Sequence, residues 1–195
     1  MPNFVPIPGD SDDARAVRTR AALATALVTL MDGRPFDDIS VQEICERAGV
    51  GRSTFYAHFQ DKDEMFIRHT AVFGQMLGEK LGRDPARGGY RFPVAGMFDH
   101  VRQMRPMIES LKKSRKSDFV LKVWQNNLAE VFERRVREER GAAAAGIPAA
   151  IPAEILAQQL AGTLFTLLTW WLDHHCPFAA QQMEEQWERL VAGLS

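Results

Sequence analysis

The chain has 195 residues, of which 46% are hydrophobic and 25% are charged, and its formal net charge is −1. These values are typical of a globular protein of one or two domains, and they exclude a chain that binds nucleic acid through a large overall positive charge. The two cysteines, Cys45 and Cys176, are far apart and lack metal-ligand spacing, which argues against a disulfide framework or a zinc site and suits the cytoplasm.

The first twelve residues are predicted to be a disordered lead-in. They contain prolines at positions 2, 6 and 8, and they lack both the basic and the apolar region of a signal peptide. Apolar residues at helical spacing then predict a first helix from Asp12 to Met31. Gly33 and Pro35 follow as helix breakers.

A second, short helix is predicted to begin at Ser40. Glu43 lies three residues further on, so the two side chains can form a capping box that satisfies backbone amides of the first turn. Gly49 ends this helix, because glycine readily adopts the left-handed backbone that a tight turn needs. A third helix follows from Gly51 to Phe59.

Two short helices joined by a three-residue turn predict a helix-turn-helix over about residues 40–59. Phe55 and Phe59 are four residues apart and are predicted to be buried. This leaves Arg52 and its polar neighbours on the outward face of the third helix. Arginine can donate two hydrogen bonds to guanine, and hydroxyl groups can contact bases or phosphates, so this face is suited to reading DNA.

The segment ISVQEICERAGVGRSTFYAHFQDKDEMF (39–66) resembles the DNA-binding signature of TetR-family transcriptional regulators, and the resemblance extends over about residues 13–73. Glycine at position 51 and cysteine at position 45 depart from the family pattern. The resemblance implies that Arg52 and Ser53 read bases and that Lys62 holds a phosphate. The complete set of implied DNA contacts is Ser40, Gln42, Arg52, Ser53, Thr54, Tyr56, His58 and Lys62, with Arg15, Arg18 or Arg20 as further cations nearby.

The rest of the chain is predicted to be helical, without a credible strand pattern, so the fold class is all-α with about nine helices. Pro106 predicts a kink or break in the helical segment from about Phe92 to Leu111. The resemblance divides the chain into a DNA-binding domain, residues 13–73, and a C-terminal ligand-binding and dimerisation domain, residues 74–195.

The segment Leu160–Leu172 contains 13 residues without a charge and is apolar on nearly every side. Thirteen residues are too few to span a bilayer, so we expect no membrane partner and a helix that is buried all round, partly by a second copy of the chain. The predicted homodimer interface comprises Leu160, Leu164, Leu167, Trp171, Met183, Trp187 and Leu190.

An apolar ligand pocket is also predicted in the C-terminal bundle, as the resemblance implies. Its candidate lining is rich in methionine and aromatic residues, which suits a hydrophobic effector of unknown identity. The candidates are Met97, Met104, Met107, Phe119, Val123, Trp124, Leu128, Phe165 and Leu168. His174 and His175 do not point to one ion, because adjacent helical residues diverge by about 100°, so neither a metal nor a cofactor is expected.

We therefore expect a dimeric repressor that binds a palindromic double-stranded DNA operator and is released by a small effector. One alternative is a helical protein-interaction module that has lost DNA binding. Residues 1–62 support it, because they carry seven Lys and Arg against nine Asp and Glu. Another alternative, a small helical enzyme using His174, His175 or Cys176, lacks paired carboxylates, a catalytic triad or a phosphate loop, so no enzymatic activity is expected.

Overall fold

The computed structural model describes residues 14–83, 90–143 and 151–192. The predicted all-α fold is confirmed, since these residues form nine α-helices and one short 3-10 turn, Phe36–Asp38. The helices are α1 (Ala14–Leu30), α2 (Val41–Ala48), α3 (Arg52–His58), α4 (Lys62–Gly78), α5 (Val94–Gln103), α6 (Arg105–Lys113), α7 (Ser117–Ala143), α8 (Ala153–Asp173) and α9 (Ala180–Val191). The predicted lead-in, residues 1–12, lies outside the described residues.

Two very short strands were not expected from the sequence. Strand β1 (Gly82–Arg83) pairs with β2 (Tyr90–Arg91) in an antiparallel ladder, with Gly82 opposite Arg91 and Arg83 opposite Tyr90. A ladder of two residues is too short to show the alternating pattern by which strands are recognised in a sequence.

The chain forms two compact units. Among the described residues, the first combines residues 14–73 with Gln103–Val120, and the second combines residues 74–83, 90–102, 121–143 and 151–192. The three boundaries therefore fall inside α4, before the last residue of α5 and inside α7.

The first unit has a core of side chains from α1, the 3-10 turn, α2, α3 and α4. The Phe36 and Phe66 rings meet edge to face with centroids 5.5 Å apart, and Phe55 is fully buried. The other large buried side chains are Leu23, Leu27, Met31, Ile39, Ile44, Phe59 and Met65. This core holds the two short helices, which would be only marginally stable alone.

Pro106 does break the predicted long helix, because α5 ends at Gln103 and α6 begins at Arg105. Proline in the first helical turn is well tolerated, since its missing N–H would have no partner there. The break leaves α6 in the first unit, where Met107, Ile108 and Leu111 are buried.

The second unit is organised around α8. Its buried side chains are Leu156, Ala157, Leu160, Ala161, Leu164, Phe165, Leu168 and Trp171. The Trp171 ring lies 5.0 Å from Phe98 of α5, and its Nε1–H donates to the carbonyl of Phe178 at 2.9 Å. From α9, the Trp187 indole donates to the carbonyl of Leu160 at 3.4 Å.

Helix α8 is longer than its uncharged segment, Leu160–Leu172. The prediction that this helix is too short to cross a membrane, which used the length of that segment, is therefore wrong. The helix spans 21 residues and, among the described helices, it alone is long and apolar enough to do so by length and composition. Eight of its side chains are buried within the second unit. Such burial is typical of a core helix. We therefore regard α8 as part of a globular domain because its side chains are buried, and not because the helix is short.

We expect acid to destabilise the first unit through His69 of α4. Burial lowers the pKa of this imidazole to about 4, from about 6.5. Between these values the unfolded chain binds the proton more tightly, so stability present at pH 7 is lost as the pH falls. The loss should reach roughly 3 kcal/mol at pH 4. Urea unfolding at pH 7 and pH 4 will measure it.

The variant His69→Gln isolates this effect, because it has no imidazole to titrate. Its stability should depend less steeply on pH than that of the unsubstituted protein. Identical pH profiles for His69→Gln and the unsubstituted protein would contradict the prediction.

Candidate nucleic-acid interface

Helices α2 and α3 form the predicted helix-turn-helix, and local interactions define both ends of α2. At its start, the Ser40 hydroxyl accepts from the backbone N–H of Glu43 at 3.2 Å, and a Glu43 carboxylate oxygen accepts from the N–H of Ser40 at 2.8 Å. The hydrogen bond from the Ser40 backbone, followed by that from Arg34, lowers the pKa of Glu43 to about 2. At its end, Gly49 has φ +66°, a left-handed conformation that glycine adopts without strain.

Helix α3 has distinct inner and outer faces. Phe55 and Phe59 are buried, with ring centroids 5.7 Å apart. Arg52, Ser53, Thr54 and Tyr56 are exposed, as the sequence predicts. Tyr56 is 52% exposed, and its ring lies edge to face against the buried Phe55, which orients it.

Ser40 and Gln42 lie at the exposed start of α2. The Ser40 hydroxyl donates to Glu43 at 2.9 Å in addition to accepting from its backbone, so a phosphate would have to compete with the capping box for this group. The Gln42 side chain is exposed, and its Nε2 donates to Oε1 of Glu46 at 2.9 Å.

His58 lies at the end of α3 and is half-buried. Burial lowers the pKa of its imidazole, and the positive charges of Arg20 and Arg68 lower it further. The ring is therefore neutral at pH 7 and can offer a phosphate one N–H but no charge. Arg20 itself is buried, which removes it from the cations expected to reach DNA, whereas Arg15 and Arg18 are exposed.

The structure revises the role predicted for Lys62. Its ammonium group donates to the carbonyls of Phe36 at 2.8 Å, Asp37 at 3.0 Å and Ile39 at 2.7 Å. It also lies 4.8 Å from the centroid of the Phe36 ring. Because an ammonium group has three N–H donors, none remains for a phosphate. Lys62 instead fastens the start of α4 to the segment that leads into α2.

A second lysine, Lys116, contacts the same region. Lys116 forms ion pairs with Asp63 and, at 3.2 Å, with Asp37, and its ammonium lies 5.0 Å from the Phe36 ring. Burial disfavours its charge, but the hydrogen bonds to both carboxylates outweigh burial and raise its pKa. Only the folded chain brings residues 37, 63 and 116 together, so no local sequence signal could have revealed this cluster.

The predicted pocket residues do not form one group. Met104, Met107 and Phe119 belong to the first unit, and the other six belong to the second. Phe119 is 59% exposed, so its assignment to an apolar lining is wrong. Met97, Leu128, Phe165 and Leu168 are buried within the second unit and remain candidates.

The predicted dimer residues need a larger correction. Leu160, Leu164, Trp171, Met183 and Trp187 are buried within their own unit and are not available to a second copy. Apolar spacing identified the inner face of α8 and α9 instead of the outer one. Leu167 is half-buried, and Leu190 is 57% exposed. The exposed large apolar residues of this region that the sequence reasoning missed are Ile155, Trp170 and Phe178.

The segment DHHC ends α8 without forming a metal site. His174 Nδ1 lies 2.7 Å from the carbonyl of Trp170, and its ring stacks on Trp170 with centroids 4.5 Å apart. Among the described residues, no group of three or more histidine, cysteine or carboxylate side chains could hold a metal ion.

Comparisons with known proteins agree with this geometry. Residues 23–68 match the family model described as bacterial regulatory proteins, tetR family. A Haemophilus influenzae protein called an uncharacterized HTH-type transcriptional regulator is 31% identical over 65 residues, which cover 33% of this chain and 32% of that protein. The match therefore spans about a third of the relative's length.

Solved structures extend the similarity beyond the helix-turn-helix, for the fold alone. A TetR transcriptional regulator from Streptococcus agalactiae 2603V has a TM-score of 0.59 at 24% identity and covers 92% of this chain and 96% of that one. The dihydroxyacetone kinase operon activator DhaS has a TM-score of 0.57 at 17% identity and covers 88% and 93%.

The fold and the exposed face of α3 define a helix-turn-helix domain, and the family model that it matches describes bacterial regulatory proteins. Within that class, residues 23–68 form a DNA-binding domain of the TetR type.

Proposed function

We propose that the protein is a homodimeric, sequence-specific transcriptional repressor that binds a palindromic operator and is released by a small hydrophobic effector. The observation that carries the proposal is the exposed face of α3, where Arg52, Ser53, Thr54 and Tyr56 surround a buried Phe55. A rigid helix that presents a guanidinium and hydroxyl groups near its N-terminus is the arrangement by which recognition helices read the major groove.

Phosphate contacts are expected to be few. Lys62 is occupied by backbone carbonyls, Arg20 is buried, and His58 is neutral at pH 7. The exposed Arg18 remains. Binding should therefore depend only moderately on salt, since each phosphate contact contributes about 0.9 to the slope of log K against log salt.

A second copy of the chain is proposed to cover the outer face of α8 and α9. The exposed apolar side chains of this region are Ile155 and Trp170 of α8, Phe178 of the connection that follows and Leu190 of α9. Two-fold symmetry would give two recognition helices, and half-sites about 34–36 Å apart would match one turn of DNA. The operator would then be a palindrome.

The effector is proposed to bind among apolar side chains of the second unit, with Met97, Leu128, Phe165 and Leu168 as candidate contacts. Methionine and aromatic side chains adapt well to apolar ligands. The effector must bind more tightly to the form that does not bind DNA, because a ligand with equal affinity for both forms does not change their relative populations.

Expression of a reporter gene controlled by the operator would show whether the protein represses or activates transcription. DhaS, by comparison, is named as an operon activator.

Arg52→Ala should cost about 1–3 kcal/mol in affinity for a specific operator, because a bidentate contact to guanine would be lost. The experiment first selects bound sequences from a random DNA library with the unsubstituted protein, and then measures the affinity of both proteins for the selected site and for random DNA. Affinity for random DNA should change much less.

Arg102→Ala is the matched control, since Arg102 is an exposed arginine of α5 that pairs with Asp99. It should leave specific binding unchanged. An equal loss on specific and random DNA would contradict base reading by Arg52. If the unsubstituted protein enriches no sequence at all, the proposed function fails, and the protein-interaction module becomes the better interpretation.

A further inference from the structure

The exposed side chains of α2 include a pair that the helix-turn-helix signature does not explain. Gln42 and Glu46 lie four residues apart, so they share one face of the helix, and Gln42 Nε2 donates to Glu46 Oε1 at 2.9 Å. We propose that Glu46 is a positioning residue that orients the Gln42 amide to read an adenine in the operator. This inference rests on the proposed function, because it assumes sequence-specific DNA binding.

The hydrogen-bonding capacity of the amide supports this role. Glutamine recognises adenine through two bonds, one N–H donating to N7 and the carbonyl oxygen accepting from N6. The amide has two N–H donors, so the pairing leaves one N–H over. The Glu46 carboxylate accepts an N–H of Gln42 and leaves the other donor and the carbonyl oxygen for a base. Such a bond also restricts the side-chain rotamers before DNA binds, which lowers the entropy cost of binding.

The position of Glu46 relative to the recognition helix is consistent with this role. Glu46 lies in the last turn of α2, and its carbonyl accepts from the N–H of Gly49 at 3.2 Å. It therefore lies just before the turn that leads to α3, where the proposed base reader Arg52 is located. Glu43 of the same helix pairs with Arg34, whereas the Glu46 carboxylate accepts from the neutral amide of Gln42.

The charge of Glu46 has a second consequence. A carboxylate on a DNA-facing surface repels phosphates of any sequence, so it weakens non-specific binding. If the same carboxylate orients Gln42, it also strengthens the preference for one base. Glu46 would then increase the ratio of specific to non-specific affinity through both effects.

The test compares base preferences of the full-length variants Gln42→Ala, Glu46→Ala and Glu46→Gln by selection from a random DNA library. Gln42→Ala should abolish an adenine preference at one position of each half-site. Glu46→Ala should reduce the preference at that same position several-fold, while affinity for random DNA rises. Glu46→Gln retains an acceptor without the charge, so it should restore the base preference but keep the higher affinity for random DNA.

Glu138→Ala is the control for loss of one negative charge, since Glu138 is an exposed residue of α7. It should leave the preference unchanged. The inference is overturned if Glu46→Ala retains the full preference at the Gln42-dependent position, or if Gln42→Ala changes no position. Failure of the unsubstituted protein to enrich any sequence would instead remove the proposed function itself, so the two failures are distinguishable.

Discussion

Replacing Lys62 with methionine is expected to lower the free energy of unfolding by about 3–4 kcal/mol and to leave the salt dependence of DNA binding unchanged. In the folded chain, the ammonium group satisfies the carbonyls of Phe36, Asp37 and Ile39. Methionine retains the apolar stem but donates no hydrogen bond, and a bond from a charged donor contributes about 1.5–3 kcal/mol. Three bonds to partly exposed carbonyls should therefore give a loss toward the upper part of the range for single substitutions.

Two measurements distinguish this structural role from a phosphate contact. Urea unfolding reports stability, and the slope of log K against log salt reports the number of neutralised phosphates. A phosphate contact would instead reduce the slope by about 0.9 without a large loss of stability. Lys122→Met, at an exposed position of α7, is the control for loss of a positive charge.

Adjacent tryptophans of α8 should respond to alanine in opposite ways. Trp171 is fully buried, packs against Phe98 and donates to the carbonyl of Phe178, so Trp171→Ala should cost about 3–5 kcal/mol of folding stability. Trp170 is 40% exposed on the face proposed for the second copy. Trp170→Ala should weaken the dimer by about 2 kcal/mol or more, roughly 30-fold in the dissociation constant, since central interface tryptophans often dominate binding.

The two substitutions remove the same side chain from neighbouring positions, so each is the control for the other. Sedimentation measures dimer dissociation, and denaturant unfolding measures folding stability. Both must be compared at one protein concentration, because dissociation of a dimer also changes apparent stability. A Trp170→Ala protein that remains as tightly dimeric as the unsubstituted protein would contradict the proposed interface.

The helix-turn-helix could be predicted from the sequence because short-range interactions determine it. The capping box links residues three apart, and Gly49 adopts its left-handed conformation within a single turn. Phe55 and Phe59 are separated by one helical turn, so the buried side of α3 follows from their spacing alone. The break at Pro106 follows equally from local stereochemistry.

The contacts of Lys62 and Lys116 could not be predicted from the sequence in the same way. The carbonyls that Lys62 binds lie 23 to 26 residues away, and Lys116 pairs with a carboxylate 53 residues away. A lysine at the start of a helix looks the same in sequence whether it faces a phosphate or a carbonyl. The distinction depends on which backbone atoms the fold brings within about 3 Å.

The amino-acid pattern thus determines the resemblance of the N-terminal region to the TetR family, the helical fold, the position of α3 and the exposure of Arg52, since each depends on local periodicity and on a few turn and cap residues. It does not establish which apolar residues of α8 and α9 face their own core and which face outward. Trp171 is buried and Trp170 is exposed, although both belong to one apolar run. The hydrophobic spacing shows that one face of a helix is buried. Only the packing of the whole domain shows whether that face contacts its own core or faces outward.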